Sequence, residues 1–172
     1  MDEAILLALR AGEVRSIDLI WDAYAERLLA FAQARLCSHH DAEEALQNVF
    51  VKIARHRDQL ACARSLSAYL FTMVRNETTS LLRRRRDIQV DPRDLWLVPA
   101  ATPHQPSVEE AEAVRLLSGL SMEQREVIIL KFYQRMTFEE IGVALAIPPN
   151  TAASRYRYGI AALRNMMGGV GT

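Results

Sequence analysis

Apolar residues recur at helical spacing through most of Ala4 to Arg86 and again from Val108 to Met167, and strand-type alternation is hardly seen. The pattern predicts an all-α chain in two small helical domains. Between them, Asp87 to Ser107 contains Pro92, Pro99, Pro103 and Pro106, which remove backbone donors and forbid a continuous helix. The expected organisation is therefore a domain at 1–86, a linker at 87–107 and a second domain at 108–172. The linker carries Leu95, Trp96, Leu97 and Val98, enough apolar surface for part of it to dock.

In the first domain Asp41 to Arg57 reads as a helix. Asp41 with Glu44 forms a capping-box pattern, and Ala42, Ala45, Leu46, Val49, Phe50 and Ile53 mark the side to be buried. Glu44, Gln47 and Asn48 stand at i, i+3 and i+4 and make a polar patch on a neighbouring face. A second helix runs from Ser67 to about Arg86, with Leu70, Met73, Val74 and Leu81 toward the core. Asn76, Thr79, Ser80 and Arg83 form a separate hydrogen-bonding stripe on it. The helix ends in Arg83, Arg84, Arg85 and Arg86, four guanidinium groups that favour a polyanion and also suit the negative end of a helix dipole.

In the second domain Met122 to Tyr133 reads as one helix and Thr137 to Ala146 as another. Thr137 and Glu140 form a capping box, and Met136 and Ile141 are placed as a hydrophobic staple across it. Pro148 and Pro149 stop that helix, and Asn150 or Thr151 is expected to cap the next. Ala152, Tyr156, Gly159, Ile160 and Leu163 then form an inner face. Two short helices joined by a tight turn make a helix-turn-helix, with Thr151, Ala153, Ser154, Arg155 and Tyr158 turned toward a major groove.

The net charge of zero argues against a nucleic-acid partner until it is divided along the chain. Residues 1–58 carry 7 basic and 10 acidic side chains, 59–86 carry 6 and 1, 87–126 carry 3 and 8, and 127–172 carry 5 and 2. Two basic segments flank an acidic one, so DNA can be met at two places. No apolar run is long enough to span a bilayer and no secretory pattern opens the chain, so a cytoplasmic protein is expected. Cys37 and Cys62 are too few for a disulfide framework and are expected as free thiols. Cys37, His39, His40, Asp41 and Glu43 cluster in sequence, but adjacent histidines splay apart and the spacing fits no tetrahedral zinc pattern. No phosphate-cradling loop and no nucleophile-base arrangement is visible, so neither enzyme chemistry nor a metal or cofactor is expected.

Both domains resemble the extracytoplasmic-function sigma factors of the sigma-70 family, over roughly residues 15–86 and 110–166. In the first, the resemblance lies in Tyr24 to Leu29, Asp41 to Phe50 and Tyr69 to Asn76 with the trailing arginines. In the second it lies in Leu120-Ser121, Arg125 to Val127, Thr137 to Gly142, Ile147-Pro148, Ser154-Arg155 and Ala162 to Arg164. The resemblance implies that Glu44, Gln47 and Asn48 grip core RNA polymerase. It further implies that the helix from Ser67 opens and reads the downstream (minus 10) promoter element, and that Thr151 to Tyr158 reads the upstream (minus 35) element as duplex. Core polymerase and promoter DNA are then the partners, with an anti-sigma factor open as a third and no membrane. Asn48 stands where the family usually has glutamate, Tyr69 where tryptophan is frequent and Ser80 where aspartate is. Ser121 replaces a frequent proline, Asn150 a frequent glycine, and Ala153 and Tyr158 frequent basic residues. The alternative is a stand-alone helix-turn-helix regulator, which would leave the first domain without a role.

Overall fold

The structure is a computed structural model that describes residues 2–36, 38–87, 116–117 and 119–168. The expected linker beyond Asp87, Cys37 and the side chain of Arg86 lie outside the described residues. The described chain is helical, without strands, and divides into two compact units.

The N-terminal unit is built from α1 (Asp2–Arg10), α2 (Ser16–Leu36), α3 (His39–Arg55), α4 (Arg57–Ala61) and α5 (Leu66–Asp87). Ile20, Tyr24, Leu28 and Phe31 recur at three- and four-residue steps along α2 and are buried against Ala42, Ala45, Val49 and Ile53 of α3 and Leu70, Phe71 and Val74 of α5. Phe31 and Phe71 meet edge to face at 5.3 Å. Helix α1 adds Ile5 and Leu9 to the same core and packs mainly on α4, where Arg10 Nε donates to the carbonyl of Ala61 at 3.2 Å.

The start of α3 differs from the sequence expectation. Ser38, in extended backbone, is the cap, and its hydroxyl accepts from the Asp41 amide at 3.3 Å. Asp41 is thus the third helical residue, where its carboxylate suits the positive end of the helix, and it pairs with Arg85 of α5. Helix α5 begins at Leu66 with the Ser65 hydroxyl accepting from the Ala68 amide at 3.3 Å.

The C-terminal unit contains α6 (Met122–Ile128), α7 (Phe138–Leu145) and α8 (Pro149–Gly168). The Ser121 hydroxyl and the Gln124 side chain close a capping box on α6. The helix expected to run to Tyr133 changes character after Ile128, passing into a wider π-type turn over Ile129–Tyr133, with the Gln134 amide donating to Ile129 O at 3.2 Å. The Thr137–Glu140 capping box forms as expected, with Thr137 N to Glu140 Oε2 at 2.9 Å and Glu140 N to Thr137 Oγ1 at 3.2 Å. Met136 and Ile141 are both buried.

Helix α7 closes on Ala146, which adopts a left-handed φ of 52°, while the Ile147 amide returns to Gly142 O at 2.9 Å. A β-carbon on Gly142 would lie 2.8 Å from the Ile147 carbonyl oxygen, so this return needs glycine. Helix α8 then starts at Pro149, one step before the expected caps Asn150 and Thr151, which fall inside its first turn. Proline is suited to that first position because it lacks the amide hydrogen that would be left unpaired there. Ala152 and Gly159 are buried, and a β-carbon on Gly159 would approach Ile128 Cδ1 to 2.7 Å, so glycine sets how closely α8 packs on α6.

Candidate nucleic-acid interface

The α5 stripe assembles as its spacing predicts. Asn76, Thr79, Ser80 and Arg83 line one groove, and Arg75, not singled out from sequence, joins them. The signal for Arg75 was present, since it stands four residues before Thr79 and eight before Arg83 on a helix. Asn76 and Arg83 are exposed, and Thr79 and Ser80 are half-buried. The Thr79 hydroxyl donates to Arg75 O at 2.7 Å and accepts from Arg35 Nη2 at 3.0 Å, so it is held in one orientation. Beyond the groove Arg84 and Arg85 are exposed, but they are not equivalent, because Arg85 already pairs with Asp41.

Beneath the stripe lies Arg35, whose Nε donates to Thr78 Oγ1 at 2.6 Å and whose guanidinium stands 5.8 Å from the Phe31 ring centroid. Burial, aided by the neighbouring charge of Arg75, pulls Arg35 down to about 10. A fixed positive charge thus sits directly under the groove.

On α3 the polar patch is divided. Glu44 and Gln47 are exposed, whereas Asn48 is half-buried and turns its amide toward α5, donating to Glu77 Oε1 at 3.1 Å. Phe50, expected in the core, is half-buried at the edge, where Trp21 of α2 meets it edge-on at 4.7 Å. Trp21 is half exposed and Val51 nearly so, giving this face an apolar centre beside Gln47.

On α8 Thr151, Ala153, Ser154 and Arg155 are half-buried and Tyr158 is exposed. Arg157 is also exposed, with Nη2 donating to Ser154 Oγ at 3.3 Å, and it was overlooked in the sequence although it lies three residues beyond Ser154. Arg155 stands near Glu123 of α6. Hydrogen bonds from the Glu123 backbone amide and the Ser121 hydroxyl, and to a lesser degree the charge of Arg155, hold the Glu123 carboxyl below the ordinary carboxylate value. In the N-terminal unit His39 is engaged with Glu43 at 3.2 Å, four residues along the same helix.

Comparison with known families decides what these surfaces belong to. The family described as Sigma-70 region 2 matches residues 20–88, and Sigma-70, region 4 matches residues 116–165. The chain belongs to the sigma-70 family. This sigma factor is 26% identical over 158 residues to ECF RNA polymerase sigma factor SigE of Mycolicibacterium smegmatis, covering 86% of the chain but only 61% of that protein. It is 27% identical over 154 residues to ECF RNA polymerase sigma factor RpoE of Cereibacter sphaeroides, covering 86% of the chain and 84% of the relative. The solved structure of the sigma factor RpoE in complex with the anti-sigma factor NepR from Bartonella quintana matches with a TM-score of 0.76 and 26% identity, covering 90% of this chain and 98% of that one. These relatives identify the sigma factor as one of the extracytoplasmic-function type, which directs RNA polymerase to promoters. A stand-alone regulator would account for the region 4 match alone and leave region 2 unexplained.

Proposed function

We propose that this sigma factor is a non-enzymatic, cytoplasmic subunit that divides its work as 1–86 for core polymerase and the downstream element, 87–107 as linker, and 108–172 for the upstream element. Glu44 and Gln47 form the polar part of the polymerase-binding face, from which the Asn48 amide turns inward to α5, and Trp21 and Phe50 supply its apolar centre. Asn76, Thr79, Ser80 and Arg83, joined by Arg75, follow opened DNA at the downstream element, where Arg84 to Arg86 attract the backbone. Thr151, Ala153, Ser154, Arg155 and Tyr158 enter the major groove of the upstream element, and Arg157 adds charge alongside.

The observation that carries this reading is the α5 groove. Four side chains picked by helical spacing, and Arg75 as a fifth, line one groove beside a buried arginine. An anti-sigma factor is proposed as a further partner, because a relative of the same fold is seen bound to one. Run-off transcription with purified core polymerase, with and without this chain, tests the reading. Specific transcripts should depend on the chain, and equal transcription without it overturns the proposal.

A further inference from the structure

One polar cluster in the N-terminal unit belongs neither to the groove nor to the exposed part of the α3 patch. Glu77 lies in the middle of α5, between the stripe residues Asn76 and Thr79, yet its side chain is only 8% exposed. Both of its carboxylate oxygens are taken by α3. Asn48 Nδ2 donates to Oε1 at 3.1 Å, and the Lys52 ammonium pairs with Oε2. Asn48 and Lys52 are one turn apart on α3, so two successive turns of that helix hold one carboxylate of α5.

The chemistry of each position is set by the others. A buried carboxylate needs donors and must not face a second carboxylate, so an amide at position 48 is compatible with Glu77 and an acid there is not. This accounts for asparagine at the position where the family resemblance leads one to expect glutamate: the acidic group of the pair stands on α5. Through these bonds, the helix whose outer side bears Glu44 and Gln47 is tied to the helix whose outer side bears the DNA-facing stripe.

We propose that Asn48, Lys52 and Glu77 form a polar bracket that fixes how the promoter-opening stripe of α5 is presented relative to α3, with Asn48 acting as a positioning residue and not as a polymerase contact. The inference rests on the functional reading above. Its force is directional: apolar attraction between α3 and α5 has no preferred angle, whereas two bonds to one carboxylate do.

The test uses holoenzyme assembled from core polymerase and the full chain, with near-isosteric variants. Asn48→Asp removes the donor and sets two carboxylates together, and Glu77→Gln with Asn48→Asp restores one acid and one amide with their places exchanged. Asn48→Asp should bind core as the wild type does but open a duplex promoter about tenfold less well, the equivalent of one lost charge-assisted bond. The double variant should recover most of that loss, and a promoter already opened in the downstream region should reduce the difference between all variants. Lys52→Met, altered at a half-exposed side chain, supplies the same comparison should paired carboxylates cost the fold. Core affinity that falls in parallel with opening makes Asn48 a polymerase contact and overturns the bracket, as does a double variant no better than the single one. Failure of the wild type itself to support specific transcription rejects the functional reading instead, so the two failures are distinguishable.

Discussion

Arg35 and Thr78 are joined inside the N-terminal unit, the guanidinium Nε donating to the threonine hydroxyl at 2.6 Å while that hydroxyl donates to Val74 O at 2.9 Å. Thr78 is fully buried, so its hydroxyl has no water to replace a lost partner. Thr78→Val keeps the volume and removes the acceptor, and a loss of about 1–3 kcal/mol in urea unfolding is expected. An unchanged midpoint would show that the arginine is satisfied without it.

The depressed pKa of Arg35 also gives stability a pH dependence of known sign. Burial and then Arg75 lower it from the ordinary guanidinium value to about 10, so between those two values the unfolded chain binds a proton that the folded chain has released. Stability carried by this group therefore rises with pH across that window and is lost as pH falls through about 10. The difference in unfolding free energy between wild type and Arg35→Met should move in favour of the wild type on going from about pH 9 to about pH 11. A constant difference would mean the guanidinium is not desolvated.

The arginine run at the end of α5 should not act as a uniform charge. Arg84→Ala should lower the salt dependence of holoenzyme binding to a forked promoter by roughly 0.7–0.9 of a unit of slope. Arg85→Ala should lower it less, because Arg85 already pairs with Asp41, and should instead loosen α5 from α3. Asn76→Ala should blunt discrimination between correct and altered downstream elements at an unchanged slope. Equal slopes for the two arginine variants would refute the distinction.

On α8, Arg155→Ala should cost about 1–3 kcal/mol at the upstream element and relax preference at one base position. Arg157→Ala should weaken binding to all sequences alike, as a phosphate contact does. Glu123→Gln should tighten binding by removing a negative charge beside Arg155. Fluorescence anisotropy with a panel of upstream-element duplexes separates these outcomes.

Ala146 occupies a backbone conformation that glycine adopts at little cost, with φ at 52°. Ala146→Gly should stabilise the C-terminal unit by about 1 kcal/mol, seen as a raised Tm. Gly142→Ala should do the opposite, since its new methyl group would meet a carbonyl oxygen that has nowhere to go. A lowered Tm for Ala146→Gly would contradict the assigned turn.

Much of the fold was legible because it is written in short-range periodicity. The Thr137–Glu140 box and the α5 stripe each depend on residues three or four apart, and each forms as read, while of the expected inner face of α8 Ala152 and Gly159 are buried and Tyr156, Ile160 and Leu163 half-buried. What escaped reading depends on partners far along the chain or on competition between neighbours. Asp41 looked like a cap because Ser38, three residues earlier, competes for the same role and wins by its extended backbone. Asn48 looked outward because Glu77, the group that draws it in, stands 29 residues away. The wide turn at Ile129–Tyr133 leaves no mark in the apolar pattern, since Val127 to Leu130 are buried in either kind of helix.

Helix α1 lies before the stretch matched by Sigma-70 region 2, yet it is wired into the later helices of its unit. Arg10 closes the end of α4 through Ala61 O, and Asp2 accepts from the buried Tyr24 hydroxyl at 2.6 Å. Trimming the protein to its matched borders would therefore take a donor from the Ala61 carbonyl and an acceptor from the Tyr24 hydroxyl and uncover the apolar side of α4, making nine residues outside the matched stretch the difference between a tractable fragment and one that clumps.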